Sequence, residues 1–398
     1  LITMDGAKQE IDRSLLLSTF CMRRFGLNFE SNKGPTKWSQ KLMFMISVCS
    51  ICYHVFSEIA YIGLTLSNSP KVEEVVPLFH TFGYGFLSIA KVFVLWYKKD
   101  VFIRLIEELD GIWPVPPLNA ESQMLKDKSL AALRIAHQWY FAVNMLGVWF
   151  YNVTPFAVYF YQLYHGEEVQ VGYVWVSWYP FDKNQPIAHV AVYIFEMFAG
   201  QSCVWIMTGT DLLFSAMASH ICLLLQILRK RLEVLATAEG SDDQYYEEIM
   251  VNIKLHQRLI TYCNDIEEAF SFSNLINIIM SSINICCVVF VIVLLEPFVA
   301  ISNKLFLGSA LLQIGVLCWY GDDILHAVCT TFPILFEFVK LRRKPACAHR
   351  LALSVQRAQK PIAFTAWKIT NMSLVTYSSI LTRSYSYFAL LYTMYSES

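Results

Sequence analysis

Apolar residues in this chain gather into long stretches near 42–66, 75–97, 135–161, 187–216, 269–300, 305–338 and 369–395, with charged segments between them. Each stretch is long enough to cross a hydrocarbon core of about 30 Å at 1.5 Å per residue. Inside a bilayer every backbone N–H and C=O must be satisfied within its own segment or a closed barrel, and segments this long and apolar point to helices. The pattern therefore predicts an all-α membrane protein with seven transmembrane helices. An odd number of crossings places the two termini on opposite sides.

The basic residues set the orientation. Lys and Arg crowd the N-terminal segment and the connections after span two, after span four and before span seven, while the opposite face carries only Lys71, Lys183 and Lys304. Positive charge favours the inner side, so the N-terminus is expected to be cytoplasmic and the C-terminus extracellular. G-protein-coupled receptors have the reverse orientation, which counts against a metabotropic seven-helix receptor. Composition agrees with a membrane chain: 56% of residues are hydrophobic and 16% charged, and mean hydropathy is +0.43. None of the eleven cysteines falls in an external connection, so no extracellular disulfide framework is expected.

Outside the spans, no cleavable signal peptide is expected in the first forty residues, where Leu15-Leu16-Leu17 is too short an apolar core, and a short amphipathic helix near 10–22 is expected at the cytoplasmic interface. Helical periodicity continues past span four over Leu223–Leu235 and resumes over Glu247–Ile260 after an acidic break at Glu239–Asp243, predicting helices that project into the cytoplasm. With 336–368 they would form a basal anchor. The external loop 162–186 contains Ser177-Trp178-Tyr179-Pro180-Phe181-Asp182, an aromatic lid of the kind that covers a cavity mouth.

Ionisable groups within the spans are candidates for function. His54 and Glu58 lie at i, i+4, in reach of a mutual hydrogen bond. Lys91 lies low enough in span two to snorkel to the interface. Glu196 and Asp211 are acids of span four, and Asp323 of span six could pair with Arg383 of span seven. Aromatic, small and polar residues form stripes on spans two, three and four: His80 and Tyr84; Asn144, Gly147 and Tyr151 with Phe150 beside them; Tyr193 and Met197. Asn144 apart, they are the candidate lining of a pocket for a small volatile ligand, bound through apolar area and shape. Phosphate loop, metal-ligand cluster and nucleophile elbow are all missing, so no cofactor, no metal, no nucleic acid and no enzymatic activity are expected.

Span seven is rich in hydroxyls, among them Thr370, Ser373, Thr376, Ser378, Ser379, Thr382, Ser384 and Ser386, and such groups seek a partner helix or a wet lumen. Its sequence, read with the approach to it, is also the most distinctive in the chain. Arg357-Ala358-Gln359-Lys360-Pro361, Thr365-Ala366-x-Lys368, Ser373-Leu374 and Ser384-Tyr385-Ser386-Tyr387-Phe388-x-Leu390-Leu391 closely resemble the C-terminal signature of insect odorant receptors. Trp319-Tyr320-Gly321-Asp322 and the 177–182 hexapeptide are similar to further family elements, whereas Phe332-Pro333-Ile334-Leu335-Phe336 departs from the usual pattern.

The resemblance implies a tetrameric channel architecture in the plasma membrane of olfactory sensory neurons. In it, an odorant-binding subunit works with the family's coreceptor as a heterotetramer. The ligand pocket would lie in the outer halves of spans two, three, four and six, and Leu390, Thr393 and Met394 would form gate and filter of a non-selective cation pore. A self-sufficient homotetramer, as in gustatory receptors, is the alternative; four copies of Arg383 around one cation pore argue against it. The expected organisation is a cytoplasmic segment (1–41), helices one to four with the odorant-binding region (42–216), a cytoplasmic helical anchor (217–268), helices five and six (269–338), a second anchor segment (339–368), and the pore helix with a short tail (369–398).

Overall fold

The computed structural model describes residues 2–29, 37–68, 71–114, 118–166, 171–237, 242–295, 300–341 and 363–397. Its helices are α1 (Ile2–Ser14), α2 (Leu16–Phe25), α3 (Trp38–Leu66), α4 (Val72–Tyr97), α5 (Lys99–Ile112), α6 (Ala120–Tyr164), α7 (Pro186–Thr237), α8 (Asp242–Leu294), α9 (Ile301–Leu341) and α10 (Leu374–Glu397). A two-stranded antiparallel hairpin, β1 (Thr365–Ala366) and β2 (Thr370–Asn371), precedes α10. Among the described residues α3, α4, α6, α7, α8 and α9 are long and apolar enough to cross a membrane. The 24 residues of α10 give it the length, about 36 Å, but its hydroxyls make it less apolar than those six.

α7 is the axis of the bundle. Its 52 residues far exceed the roughly 20 that span a bilayer, and α2, α3, α4, α6, α8 and α9 all pack on it. A helix buried on every side needs apolar and small residues all round, and Ala199, Gly200, Ser202, Gly209, Ala216 and Ala218 meet that need. Gly209 marks the closest approach: a Cβ there would come within 3.1 Å of both Cys21 and Met22 of α2. Ser18 Oγ donates to the Gly209 carbonyl at 2.8 Å. The helix expected near 10–22 is thus two helices broken at Leu15, and the face of α2 carrying Cys21, Met22 and Phe25 is buried in the protein. Gly26 ends α2 in the left-handed region (φ +99°), and a Cβ there would clash with the Phe44 amide nitrogen.

Beyond the bundle, the apolar face of α5 (Phe102, Leu105, Leu109, Ile112) closes on α8, where the Tyr262 hydroxyl donates to the Leu105 carbonyl at 2.8 Å. Lys230 of α7 bridges Glu121 of α6 (2.8 Å) and Glu233 (3.1 Å). The Arg357–Pro361 motif and most of the expected anchor segment 339–368 lie outside the described residues, as does Cys347. Span seven starts later than its apolar run: 369–373 form the hairpin's return. Trp367 and Lys368 take left-handed backbone angles at its tip, and the Met372 amide donates to the Phe364 carbonyl at 2.7 Å. The Leu374 amide then reaches the Asp322 carboxylate at 3.4 Å, so α9 caps the start of α10.

Candidate ligand-binding site

The segment 171–185 folds over one end of the bundle because α7 offers it an acid. The Glu196 carboxylate accepts the amides of Val174 (2.9 Å) and Trp175 (3.1 Å) and the hydroxyl of Tyr179 (3.1 Å). Ser57 of α3 donates to the Trp178 carbonyl and its own carbonyl takes the Trp178 amide. These bonds satisfy loop backbone groups that burial would otherwise leave unpaired. They drive the Trp175 indole downward. Its Nε1 donates to the Glu196 carbonyl (3.1 Å), its ring stacks on Tyr151 at 4.9 Å and 25°, and it meets His54 at 5.0 Å. Gly200 makes room for it: a Cβ would stand 2.8 Å from the indole.

Beneath Trp175 lies a narrow cavity of about 30 Å³. Tyr84 of α4, Asn144, Gly147, Val148 and Tyr151 of α6, Gly200 and Val204 of α7, and Phe306, Ser309, Ala310 and Gln313 of α9 line it. That volume holds about one water, so a volatile molecule enters only if side chains yield. The floor is a buried polar network. Lys91 pairs with Asp211 Oδ1 at 2.5 Å, and Asp211 Oδ2 accepts from Tyr140 and Gln313, both at 2.9 Å. Four helices meet at this one carboxylate. Lys91 does not snorkel: it is fully buried, because its partner lies across the bundle and not at the interface.

Of the stripe residues, Tyr84, Gly147 and Tyr151 line the cavity together. His80 stands behind them, buried, with Nε2 3.4 Å from the Tyr151 hydroxyl and its ring 5.6 Å from Phe306. Tyr193 and Met197 pack with Val174 and Trp175 in an apolar cluster on the loop side, where Tyr193 donates to the Asn152 carbonyl. Phe150 is half-exposed on α6 and does not line the cavity. His54 and Glu58 are both buried but 3.6 Å apart, beyond hydrogen-bond reach.

Asp323 and Arg383 do not form the expected pair and both are exposed. Arg383 lies nine residues into α10, about 14 Å along the axis from the end that α9 caps, so the register keeps them apart. Leu390, Thr393 and Met394 are also exposed on α10. Trp175, Phe306, Ser309 and Gln313 escaped the stripe pattern, whereas Asn144 lines the cavity from the same stripe as Gly147 and Tyr151. Among the described residues no cluster of three or more metal-donor side chains forms.

Comparison with known proteins places this geometry. The profile of the 7tm Odorant receptor family matches residues 71–385. Odorant receptor 85c of Drosophila melanogaster is 25% identical over 92% of this chain and 93% of its own length. Odorant receptor 67c of the same fly is 22% identical over 86% and 85%. The solved structure of the insect olfactory receptor OR5 from Machilis hrabei in complex with eugenol superimposes with a TM-score of 0.81. It covers 98% of this chain and 99% of that one at 14% identity, a likeness of fold. A match over most of the length by profile, relatives and fold leaves one assignment: the chain belongs to the 7tm odorant receptor family, membrane receptors of insect olfaction and not enzymes.

Proposed function

We propose that this chain is the odorant-binding subunit of a ligand-gated, non-selective cation channel, acting with the family's coreceptor as a heterotetramer in the plasma membrane of olfactory sensory neurons. The observation that carries the reading is the cavity beneath Trp175, enclosed by four long helices and lined mainly by aromatic and apolar side chains. A small volatile ligand offers few polar contacts, so buried apolar area at roughly 25 cal/mol per Å² supplies its affinity. The eugenol complex of the Machilis receptor supports a ligand of that size.

The seven-crossing topology, with the N-terminus inside and the C-terminus outside, rests on the distribution of Lys and Arg together with α10 as the seventh span. α10 lines the pore, with Leu390 and Met394 as an apolar constriction and Thr393 beside them. Ligand binding favours the conformation in which the outer ends of these helices splay apart. Exposed Arg383 supports a mixed assembly, since four arginines about one axis repel cations.

Whole-cell current decides the matter, with the chain expressed alone and then with an insect coreceptor, against volatile aromatics and heterocycles. Odorant currents only on co-expression, without added nucleotide, are expected. Robust currents from the chain alone would replace the heterotetramer with a homotetramer, and a requirement for a diffusible second messenger would replace the channel with a metabotropic receptor.

A further inference from the structure

The hydrogen bonds around the cavity determine which polar atoms remain for a ligand. Asp211 is held by the Lys91 ammonium, and a carboxylate so paired only accepts. The Gln313 group 2.9 Å from Asp211 Oδ2 is therefore its amide nitrogen, which leaves the carbonyl Oε1 as a free acceptor at the cavity floor. Asn144 is oriented by the same logic. Its Nδ2 donates to the Tyr140 carbonyl at 2.8 Å, so the atom that Ser309 Oγ meets at 2.9 Å is Oδ1. Ser309 spends its only proton there and turns lone pairs to the cavity it lines.

Donors around the cavity are largely spent. The Trp175 N–H goes to the Glu196 carbonyl. His80 Nδ1 donates to the Pro77 carbonyl at 2.6 Å, so Nε2 accepts and the Tyr151 hydroxyl donates to it. Against two fixed acceptors stand the Tyr84 hydroxyl, which turns either way, and the second amide protons of Gln313 and Asn144.

We infer that the cavity selects volatile molecules carrying a hydroxyl or N–H donor on a compact apolar frame, with the donor bound by Gln313 Oε1 and Ser309 Oγ. The inference rests on the cavity being the ligand site. An ether or ester of the same size offers only acceptors and would leave the buried Gln313 Oε1 without a donor and the lone pairs of half-buried Ser309 unused, which a binding site penalises more than it rewards a made bond.

The test is a set of matched pairs of five to ten carbons, alcohol against isosteric methyl ether and phenol against anisole, measured as half-maximal concentrations in cells expressing the chain with its coreceptor. The hydroxyl member of each active pair is expected to act at about tenfold lower concentration, the effect of one hydrogen bond of about 1.4 kcal/mol. Ser309→Ala and Gln313→Met should each shrink that ratio, because the hydroxyl member of a pair loses more potency than its ether whatever the change common to both. If Gln313→Met fails to reach the surface, Ser309→Ala carries the comparison. Ethers equal to or better than their alcohols overturn the inference, and so does a ratio unchanged in every variant that reaches the surface. Silence to every pair overturns it too; the ligand-site reading falls only if ketones and esters are silent as well.

Discussion

Two long helices of this bundle live in opposite surroundings. From Ser202 to Leu225 of α7 only Trp205 escapes full burial, whereas among the described residues of α10 only Ile380 and Ser384 are buried. The contact line of α10 is one stripe, i and i+4, anchored where Ser384 Oγ donates to the Ser282 carbonyl of α8 at 3.1 Å. Their polar groups are satisfied accordingly. α7 sends Asp211, Glu196 and the Gly209 carbonyl to other elements of the chain. α10 turns inward on itself: Ser379, Thr382, Ser386 and Thr393 each donate to the carbonyl four residues back. A hydroxyl satisfied locally can face lipid, another subunit or water without a stranded donor. α7 holds the fold together, and α10 is shaped for something outside the chain.

The sharpest way to break that contrast is at Asp211. Asp211→Leu strands the Lys91 ammonium in the bundle, a change that costs about 3–5 kcal/mol for a buried pair, a large share of a typical margin of 5–15 kcal/mol. Surface biotinylation should show the protein nearly absent from the plasma membrane. The double variant Lys91→Met with Asp211→Leu removes both charges and should recover most of the surface signal. A double variant as depleted as the single one would mean that these residues act separately.

Packing against α7 comes next. Gly209→Val forces a branched side chain onto Cys21 and Met22 of α2, and overpacking of this kind costs about 1–3 kcal/mol. A partial loss of surface protein is expected, and full surface expression would mean that α2 is not seated there. Trp175→Ala sharpens the comparison differently, since its loop sits on the bundle without forming its axis. Surface levels should hold while half-maximal odorant concentrations rise about tenfold or more, because the roof of the cavity and its stack on Tyr151 are gone. Unchanged sensitivity would detach the loop from ligand binding.

The same contrast governs what could be read from the chain. Hydropathy marks the six apolar helices because lipid-facing and α7-facing positions are apolar alike. Tyr84, Gly147 and Tyr151 were legible because their spacing keeps each helix's stripe on one face; Phe150 is turned by about 100° from Tyr151 and faces out. Lys91 and Asp211 read as separate charges since 120 positions divide them, and nothing local distinguishes a lysine that snorkels from one that crosses the bundle. Trp175 was hidden for a related reason. Glu196 was visible as an intramembrane acid, but its partners are backbone amides, which carry no sequence mark. The late start of α10 likewise depends on two residues in left-handed conformation that are neither glycine nor asparagine.

Substitutions on the exposed face of α10 should disturb the fold least. Arg383 and Leu390 are exposed, and among the described residues neither makes an ion pair; surface changes of this kind usually stay within about 0.5 kcal/mol. Arg383→Gln and Leu390→Ala should therefore reach the surface at wild-type levels. With α10 as the proposed pore helix, their effect should appear in the current: Arg383→Gln should raise single-channel conductance by removing positive charge from the proposed ion path, and Leu390→Ala should raise the resting current by loosening the proposed constriction. A fall in surface protein as deep as that of Asp211→Leu would make α10 a second structural axis and erase the contrast with α7. Normal surface levels with an unaltered current would place these residues against lipid, and the pore would have to be sought on another face of the helix.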